Sequence, residues 1–171
     1  MFTGYVQVYT GNGKGKTTAA VGLTIRAAGC GMKVFFAQFI KSAYSSEFYC
    51  MERFCNLITL RQYGRGFVRG KPASEDIEAA KRGLAESKEV MLSADFQVVV
   101  LDEINVALRL GVLELQEVVK LIQQRPPNVE LVLTGRDADT EVIELADLVT
   151  EFKEIKHYFS KGVPARQGIE F

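Results

Sequence analysis

The sequence lacks the residues from which many metal centres are built. Its one histidine, His157, excludes a site with several histidine ligands from a single chain. Its three cysteines, Cys30, Cys50 and Cys55, match no zinc-binding spacing. We therefore expect reduced thiols that are mostly packed inside the protein, with a metal or redox role for Cys50 and Cys55 as the alternative.

Net charge and long apolar runs are missing as well. Lys and Arg number 21 and are balanced by 21 Asp and Glu, so we expect no nucleic-acid partner that is bound by neutralising many phosphates. The longest apolar stretches, near residues 34–40 and 98–101, are far too short to cross a bilayer. Residues 1–9 contain no basic segment followed by an apolar one. The sequence thus predicts no membrane partner and a cytoplasmic location.

A glycine-rich turn, TGNGKGKTT, occupies residues 10–18 between a predicted strand and a predicted helix. This order is typical of a phosphate-binding loop (P-loop): glycines let backbone N–H groups converge on anionic oxygens, and the following helix adds its positive end. Lys16 can reach terminal phosphate oxygens, and Thr17 can ligate a phosphate-bound Mg²⁺. Thr10 stands where the usual pattern has its first glycine, so we expect Gly11 and Gly13 to supply the flexibility.

The residues predicted to contact the nucleotide follow from this loop and from the end of the second strand. They are Thr10, Gly11, Asn12, Gly13, Lys14, Gly15, Lys16, Thr17, Thr18, Gln38 and Lys41.

Strand-like and helix-like segments alternate along the chain. Strands are predicted at residues 5–9, 33–40, 57–60, 97–101, 129–133 and 148–152, and helices at 16–28, 47–54, 72–94, 115–122 and 139–146. We expect Gly29 to close the first helix, Ser74 and Asp139 to cap two others, and residues 148–152 to form a core strand. Residues 1–171 thus predict a single-domain α/β fold like that of P-loop NTPases, with a mostly parallel sheet and helices on both faces.

Polar residues stand at the predicted carboxyl ends of the strands, where parallel sheets bind ligands. Asp102 and Glu103 follow a wholly apolar strand, and a carboxylate there can hold Mg²⁺ directly or through water. Asp102 is the preferred metal ligand, and Glu103 shares the ion or orients a water; the alternative is a strand that simply runs into a polar loop. Arg136 is predicted to bind phosphate charge, with a surface pairing to Asp137 or Asp139 as the alternative.

Residues 41–71 show little periodicity, which favours a functional loop region over the site. Tyr44, Tyr63 and Phe67 either stack on a planar ligand or fix the loop to the body of the protein. Arg65 and Arg69 either contact the ligand or are only solvated. The tail, residues 153–171, holds no clear helix.

The whole string resembles the ATP:corrinoid adenosyltransferases of the P-loop type, which act on cob(I)alamin or cob(I)yrinic acid a,c-diamide. The resemblance rests on segments that span nearly the whole chain in order. They are TGNGKGKTTAAVGLTIRAAGCGMKV (10–34), QFIK (38–41), GRGFVRGKP (64–72), VVVLDEINVAL (98–108), LVLTGR (131–136), LADLVTEFKEIKH (145–157) and KGVPARQGIEF (161–171).

The resemblance implies a reaction that the spacing of residues does not show. Members of the family move the 5′-deoxyadenosyl group of ATP onto Co(I) of a reduced corrinoid and release triphosphate, in adenosylcobalamin biosynthesis or salvage. ATP is thus an implied co-substrate, Mg²⁺ or Mn²⁺ the implied ion, and Lys16, Asp102, Glu103 and Arg136 the implied catalytic residues, with Thr17, Asp102 and Glu103 on the metal. A homodimer and a flavoprotein reductant are further expectations, and the corrinoid is expected over the strand ends, near the tail.

Departures from the family pattern concern the corrinoid more than ATP. Residues 42–47 read SAYSSE, with Tyr44 where tryptophan is usual, Arg69 stands where an aromatic residue or threonine is commoner, and Tyr158 replaces a usual proline. Two other functions fit the same P-loop: an ATPase or kinase in which Glu103 orients a water or an acceptor, and a non-catalytic binding module whose residues 41–71 order on ATP.

Overall fold

Strands and helices alternate along the chain in a computed structural model that describes residues 2–41, 46–53, 56–66 and 70–170. The strands are β1 (Val6–Thr10), β2 (Val34–Phe39), β3 (Ile58–Tyr63), β4 (Val98–Asp102), β5 (Glu130–Thr134) and β6 (Leu148–Glu151). The helices are α1 (Lys16–Gly29), α2 (Ser46–Glu52), α3 (Ser74–Leu92), α4 (Ile104–Arg109), α5 (Leu115–Gln123) and α6 (Thr140–Glu144), and a 3₁₀ turn covers Phe159–Lys161.

The strands form one six-stranded sheet in the order β3-β2-β4-β5-β1-β6, and every neighbouring pair is parallel. Alternate residues of one strand enter different cores: Phe35 and Phe39 of β2 pack on one face, and Val34 and Phe36 on the other. Helices α3, α4, α5 and α6 contribute to the first core, and α1 and α2 to the second. The predicted α/β fold with both sheet faces covered is confirmed, and it explains why β2 reads as a continuous apolar run.

Three strands extend one residue beyond their predicted ends, and each added residue is polar and buried. These residues are Thr10, Asp102 and Thr134, which end β1, β4 and β5. Since β1 and β4 both flank β5 in the sheet, their polar ends meet at one place. The sheet therefore delivers a buried polar cluster to its carboxyl edge.

The ends of two helices differ from the prediction. Helix α1 continues through Gly29, and the left-handed residue that follows it is Gly31 (φ 81°). Helix α3 begins at Ser74, so Ser74 is not its cap; instead the Asp76 carboxylate accepts from the N–H of Ala73 (3.1 Å). The predicted cap at Asp139 is confirmed, since its carboxylate accepts from the N–H of Glu141 (2.9 Å).

One further expectation was wrong. Residues 148–151 form a strand, but it lies at the edge of the sheet beside β1 and all four residues are exposed, so it is not a core strand. Cys30 is exposed, and the side chains of Cys50 and Cys55 lie outside the described residues, so the expectation of mostly packed thiols stays a prediction. Helix α4 was not predicted. Within the described part of the chain, no helix has the length and apolarity needed to span a membrane.

Candidate nucleotide site

The P-loop, residues 10–18, is held against the segment that leaves β6. The N–H of Gly13 donates to the carbonyl of Phe152 (2.6 Å), and a Cβ on Gly13 would lie 2.8 Å from the carbonyl oxygens of Phe152 and Lys153. Gly11 has φ 93°, and a Cβ there would lie 2.5 Å from the same Phe152 carbonyl. Close approach of a neighbouring backbone therefore requires these glycines. The Gly13 N–H, expected to face phosphate, already has a partner.

Lys16, the first residue of α1, is folded back onto the loop that precedes it. Its ammonium donates to the carbonyls of Gly11 (2.7 Å) and Gly13 (2.8 Å). Burial lowers the pKa of the Lys16 ammonium, which the nearby Glu103 carboxylate partly offsets. The Lys16 ammonium is thus hydrogen-bonded to two neutral carbonyls of the P-loop. The oxygens of a terminal phosphate could replace these carbonyls as acceptors.

Asp102 is the centre of the buried polar cluster and has no exposed surface. Its Oδ1 accepts from the hydroxyls of Thr17 (2.9 Å) and Thr134 (2.7 Å). Its Oδ2 faces the Lys41 ammonium (3.3 Å) and the Gln38 amide (3.4 Å). Four predicted or neighbouring site residues thus converge on one carboxylate, which links the P-loop to β2, β4 and β5.

The Lys41 ammonium partly compensates the buried negative charge of Asp102. Burial lowers the pKa of Lys41, but the Asp102, Glu47 and Glu103 carboxylates outweigh burial and raise it above its ordinary value. Lys41 is therefore a fixed cation beside the strand ends at neutral pH.

Glu103 differs from Asp102 because it lines the cavity described below. Its backbone is left-handed (φ 62°), an unfavourable conformation for a residue with a side chain, and its N–H donates to the Thr134 hydroxyl (3.0 Å). Burial, followed by the Asp102 charge, raises the pKa of the Glu103 carboxyl. The left-handed turn at Glu103 separates two adjacent carboxylates: Asp102 lies inside the sheet edge and Glu103 outside it.

A cavity of about 500 Å³ opens beside the P-loop. Its walls come from the P-loop, from the strand ends and from the C-terminal tail. They include Gly13, Lys14, Gly15, Lys16, Thr17, Thr18, Lys41, Glu47, Glu103, Arg136, His157, Tyr158, Phe159, Val163, Gly168, Ile169 and Glu170. Of the residues predicted to contact nucleotide, Thr10, Gly11, Asn12 and Gln38 do not line it.

The tail is tied to the P-loop by a cluster of charges. The Lys14 ammonium donates to the carbonyl of Ile169 and to the carboxylate of Glu170, both at 2.8 Å. Arg166 pairs with the same carboxylate and lies 4.9 Å from the centre of the Tyr158 ring. Hydrogen bonds from Arg166 and then Lys14 lower the pKa of Glu170 to about 2. The tail therefore forms one wall of the cavity.

Arg136 follows β5 and lines the cavity, whereas the alternative surface pairing is absent. Asp137 pairs with Arg109 (2.6 Å), and Asp139 caps α6. Arg136 forms no ion pair with any residue that the structure describes. Among the described residues its guanidinium thus has no carboxylate partner, and it lines the cavity where an anionic ligand would bind.

The predicted aromatic and basic loop residues are only partly placed. Tyr63 packs beside Phe39 in the core, with ring centres 5.8 Å apart, so it fixes the loop rather than facing the cavity. Arg65 forms an exposed pair with Glu75 (3.7 Å). Tyr44, Phe67 and Arg69 lie outside the described residues.

Two residues of the site were not predicted from the sequence. The side-chain amide of Gln62 donates to the side-chain oxygen Oε1 of Gln38 (2.9 Å), which extends the Asp102 cluster to β3. Glu47 lines the cavity, and its buried Oε2 has no hydrogen-bond partner within the described residues. Neither belongs to a motif with a fixed spacing, so only the fold brings them to the site.

The oxygen atoms at the site suit a hard divalent cation. The Thr17 hydroxyl and the Asp102 and Glu103 carboxylates are the ligand types that Mg²⁺ prefers. The described residues include no group of three or more His, Cys, Asp or Glu side chains able to hold a metal. A magnesium ion that is bound mainly by phosphate and water needs only one or two protein carboxylates, so this donor set fits it.

A parallel α/β sheet, a P-loop at the end of its first strand and an acidic residue at the end of a neighbouring strand define a P-loop nucleotide-binding protein. A family model described as ATP:corrinoid adenosyltransferase BtuR/CobO/CobP matches residues 3–171. The chain belongs to this family of transferases.

Relatives from several bacteria are similar over almost the whole chain. The corrinoid adenosyltransferase of Pseudomonas aeruginosa is 41% identical over 170 residues, which covers 98% of this chain and 84% of that protein. That of a Sinorhizobium species is 39% identical over 175 residues, with coverages of 98% and 80%. That of Escherichia coli is 36% identical over 170 residues, with coverages of 98% and 86%.

Proposed function

We propose that this protein transfers the 5′-deoxyadenosyl group of ATP to Co(I) of a reduced corrinoid and releases triphosphate, in adenosylcobalamin biosynthesis or salvage. One observation carries the proposal: in a chain of this family, the P-loop opens into a cavity of about 500 Å³ that extends beyond the phosphate-binding residues to the tail. In this proposal the part of the cavity beyond the phosphate-binding residues takes the nucleoside and one edge of the corrinoid.

The bond changes balance without a general base. The Co(I) electron pair attacks C5′ of ATP and forms the Co–C bond, while the C5′–O5′ bond breaks and its electrons pass to the triphosphate oxygen. The catalytic task is then to stabilise negative charge on the leaving group. The Lys16 ammonium exchanges its bonds to Gly11 and Gly13 for phosphate oxygens, and Arg136 faces the same cavity.

Magnesium belongs to this proposal, with Thr17 and Glu103 as its protein ligands. When bound, Mg²⁺ neutralises phosphate charge and so stabilises triphosphate as a leaving group. Asp102 is a positioning residue in this proposal rather than a metal ligand. It is fully buried and holds the Thr17 hydroxyl, Lys41 and Gln38 in place. This assignment reverses the preference for Asp102 over Glu103 that the sequence alone favoured.

Three further properties are proposed from family membership. They are a homodimer, a flavoprotein that reduces the corrinoid before it binds, and a cytoplasmic location. Sedimentation at several protein concentrations tests the dimer, and a mass that stays at 19.0 kDa would contradict it.

Anaerobic incubation with ATP and chemically reduced cobalamin tests the reaction. We expect the absorption spectrum of an alkylated cobalt to appear with an equimolar amount of triphosphate. Orthophosphate or ADP without alkylation would instead indicate an ATPase or kinase. Tight ATP binding without any product would indicate a binding module.

A further inference from the structure

Thr10 occupies the P-loop position at which the usual motif has glycine, yet it does not line the cavity. Its side chain is buried at the end of β1, and its hydroxyl oxygen accepts from the N–H of Ala138 (3.1 Å). Ala138 lies beyond the carboxyl end of β5, on the segment that carries Arg136. The substitution of glycine by threonine therefore creates a bond between two loops that are 128 residues apart in sequence.

The segment from Gly135 to Ala138, here called the arginine turn, depends on contacts from outside itself. Asp137 within it has a left-handed backbone (φ 53°), which favours other conformations when the turn is free. The N–H of Gly135 donates to the carbonyl of Tyr9 (3.1 Å), which fixes the start of the turn to β1. The Thr10 hydroxyl fixes its end.

The charged contact of the arginine turn is weak. The Asp137 carboxylate pairs with Arg109 at 2.6 Å, but both side chains are about half exposed, and exposed ion pairs contribute little. The buried polar contacts of the turn are therefore the two hydrogen bonds to consecutive residues of β1, beside the packing of the Ala138 side chain on the core. Arg136 lies between the two points at which those bonds hold the turn.

We infer that Thr10 is a positioning residue whose hydroxyl holds the arginine turn so that Arg136 faces the triphosphate on the P-loop. A glycine at position 10 offers no side-chain acceptor, so the end of the turn would lose its hydrogen bond and be held only by the packing of Ala138. The inference deepens the proposed function and rests on it for the role of Arg136.

Binding of inorganic triphosphate, measured by calorimetry, tests the inference without any corrinoid. Loss of one buried hydrogen bond is expected to weaken binding by Thr10→Val about fivefold to tenfold, and Thr10→Ala, which adds no new bulk, should behave alike. Thr10→Ser keeps the hydroxyl and should bind within about twofold of wild type. In an Arg136→Ala background, Thr10→Val should cause no further loss, because the hydroxyl acts through the arginine.

Thr24→Val is the matched control. Thr24 is fully buried in α1, and its hydroxyl donates to the carbonyl of Ala20 (2.9 Å) rather than to the arginine turn. This variant should bind triphosphate as wild type does, and the thermal midpoints of the single variants show whether each is folded at the temperature of the measurement.

Four results would overturn the inference. They are wild-type binding by Thr10→Val and Thr10→Ala, failure of Thr10→Ser to restore binding, equal losses from Thr10→Val with and without Arg136, and normal binding by Arg136→Ala alone. Each of them leaves the adenosylation assay with wild-type protein untouched. Conversely, a wild-type protein that binds triphosphate but never alkylates cobalt refutes the proposed function and not the anchoring of the turn.

Discussion

Replacement of Asp102 by asparagine should destabilise the protein even without any ligand. The carboxylate is fully buried and accepts from two hydroxyls on one oxygen while facing an ammonium and an amide on the other. Asparagine has one acceptor oxygen and one NH₂ donor, so either orientation leaves two of these donors without an acceptor. It also removes the charge that compensates Lys41.

The expected loss is about 2–3 kcal/mol in the free energy of unfolding. Breaking a buried ion pair on one side costs about 3–5 kcal/mol, and we take a lower figure because the Lys41 side chain is 31% exposed and water can solvate it. With a urea m-value of about 2 kcal/mol/M, the midpoint of urea unfolding should fall by roughly 1 M at an unchanged m-value. The measurement is urea unfolding of nucleotide-free protein at neutral pH, because bound ATP would add its own stabilisation.

Glu103→Gln is the control, since it removes one negative charge from the adjacent residue without touching the cluster around Asp102. Its midpoint should not fall. Removal of the Lys41 charge as well, in Asp102→Asn/Lys41→Met, should recover at least about 1 kcal/mol relative to the sum of the single losses. An Asp102→Asn protein within about 0.5 kcal/mol of wild type would refute the reasoning, because surface substitutions have effects of that size.

Three other predictions concern the loop and its neighbours. Lys16→Ala should lower the rate of adenosyl transfer at least about 100-fold with an unchanged circular dichroism spectrum, since it removes one preorganised donor to the leaving group; near-normal turnover would contradict its assignment. Burial and the Asp102 charge raise the pKa of the folded Glu103 carboxyl above its ordinary 4.5, so the folded state loses stability when this group ionises. The advantage of Glu103→Gln over wild type should thus be absent well below pH 4.5, grow as the pH rises above 4.5 and level off once the folded carboxyl is ionised; urea midpoints that show a constant difference would rule this out. Gly13→Ala should lower the free energy of unfolding by about 2–4 kcal/mol because its Cβ would lie 2.8 Å from backbone atoms of the segment that leaves β6. Gly22→Ala in α1 is the control: its Cβ would meet no atom within 4 Å, so it should be neutral or stabilising. Equal thermal midpoints for the two variants would show that the segment after β6 does not confine the P-loop.

Local signals were enough to predict the frame of the site. The run of apolar residues in β2 predicts a strand covered on both faces. The glycine-rich turn predicts the P-loop from its local sequence alone, independently of the rest of the fold. Because parallel strands end at one edge, Asp102 and Arg136 could be expected to lie near the P-loop before their positions were known.

Long-range placement was not predictable from the same signals. Residues 148–152 are as apolar as a core strand, and only the order of strands leaves β6 exposed at the edge. Helix α4 is six residues long and has too few turns to show a period. The division of labour between Asp102 and Glu103 depends on one left-handed backbone angle, for which glutamate gives no sequence signal. The Lys14–Glu170 pair joins residues 156 positions apart.

The position of β1 in the sheet also dictates when the protein can first hold its nucleotide. Both sheet partners of this strand, β5 and β6, belong to the final third of the chain. A ribosome therefore releases the glycine-rich loop long before it releases the strands that flank it. Because chains are synthesised from the N-terminus, the P-loop of a growing chain lacks its flanking strands. It can therefore bind ATP in its folded form only when translation is nearly complete.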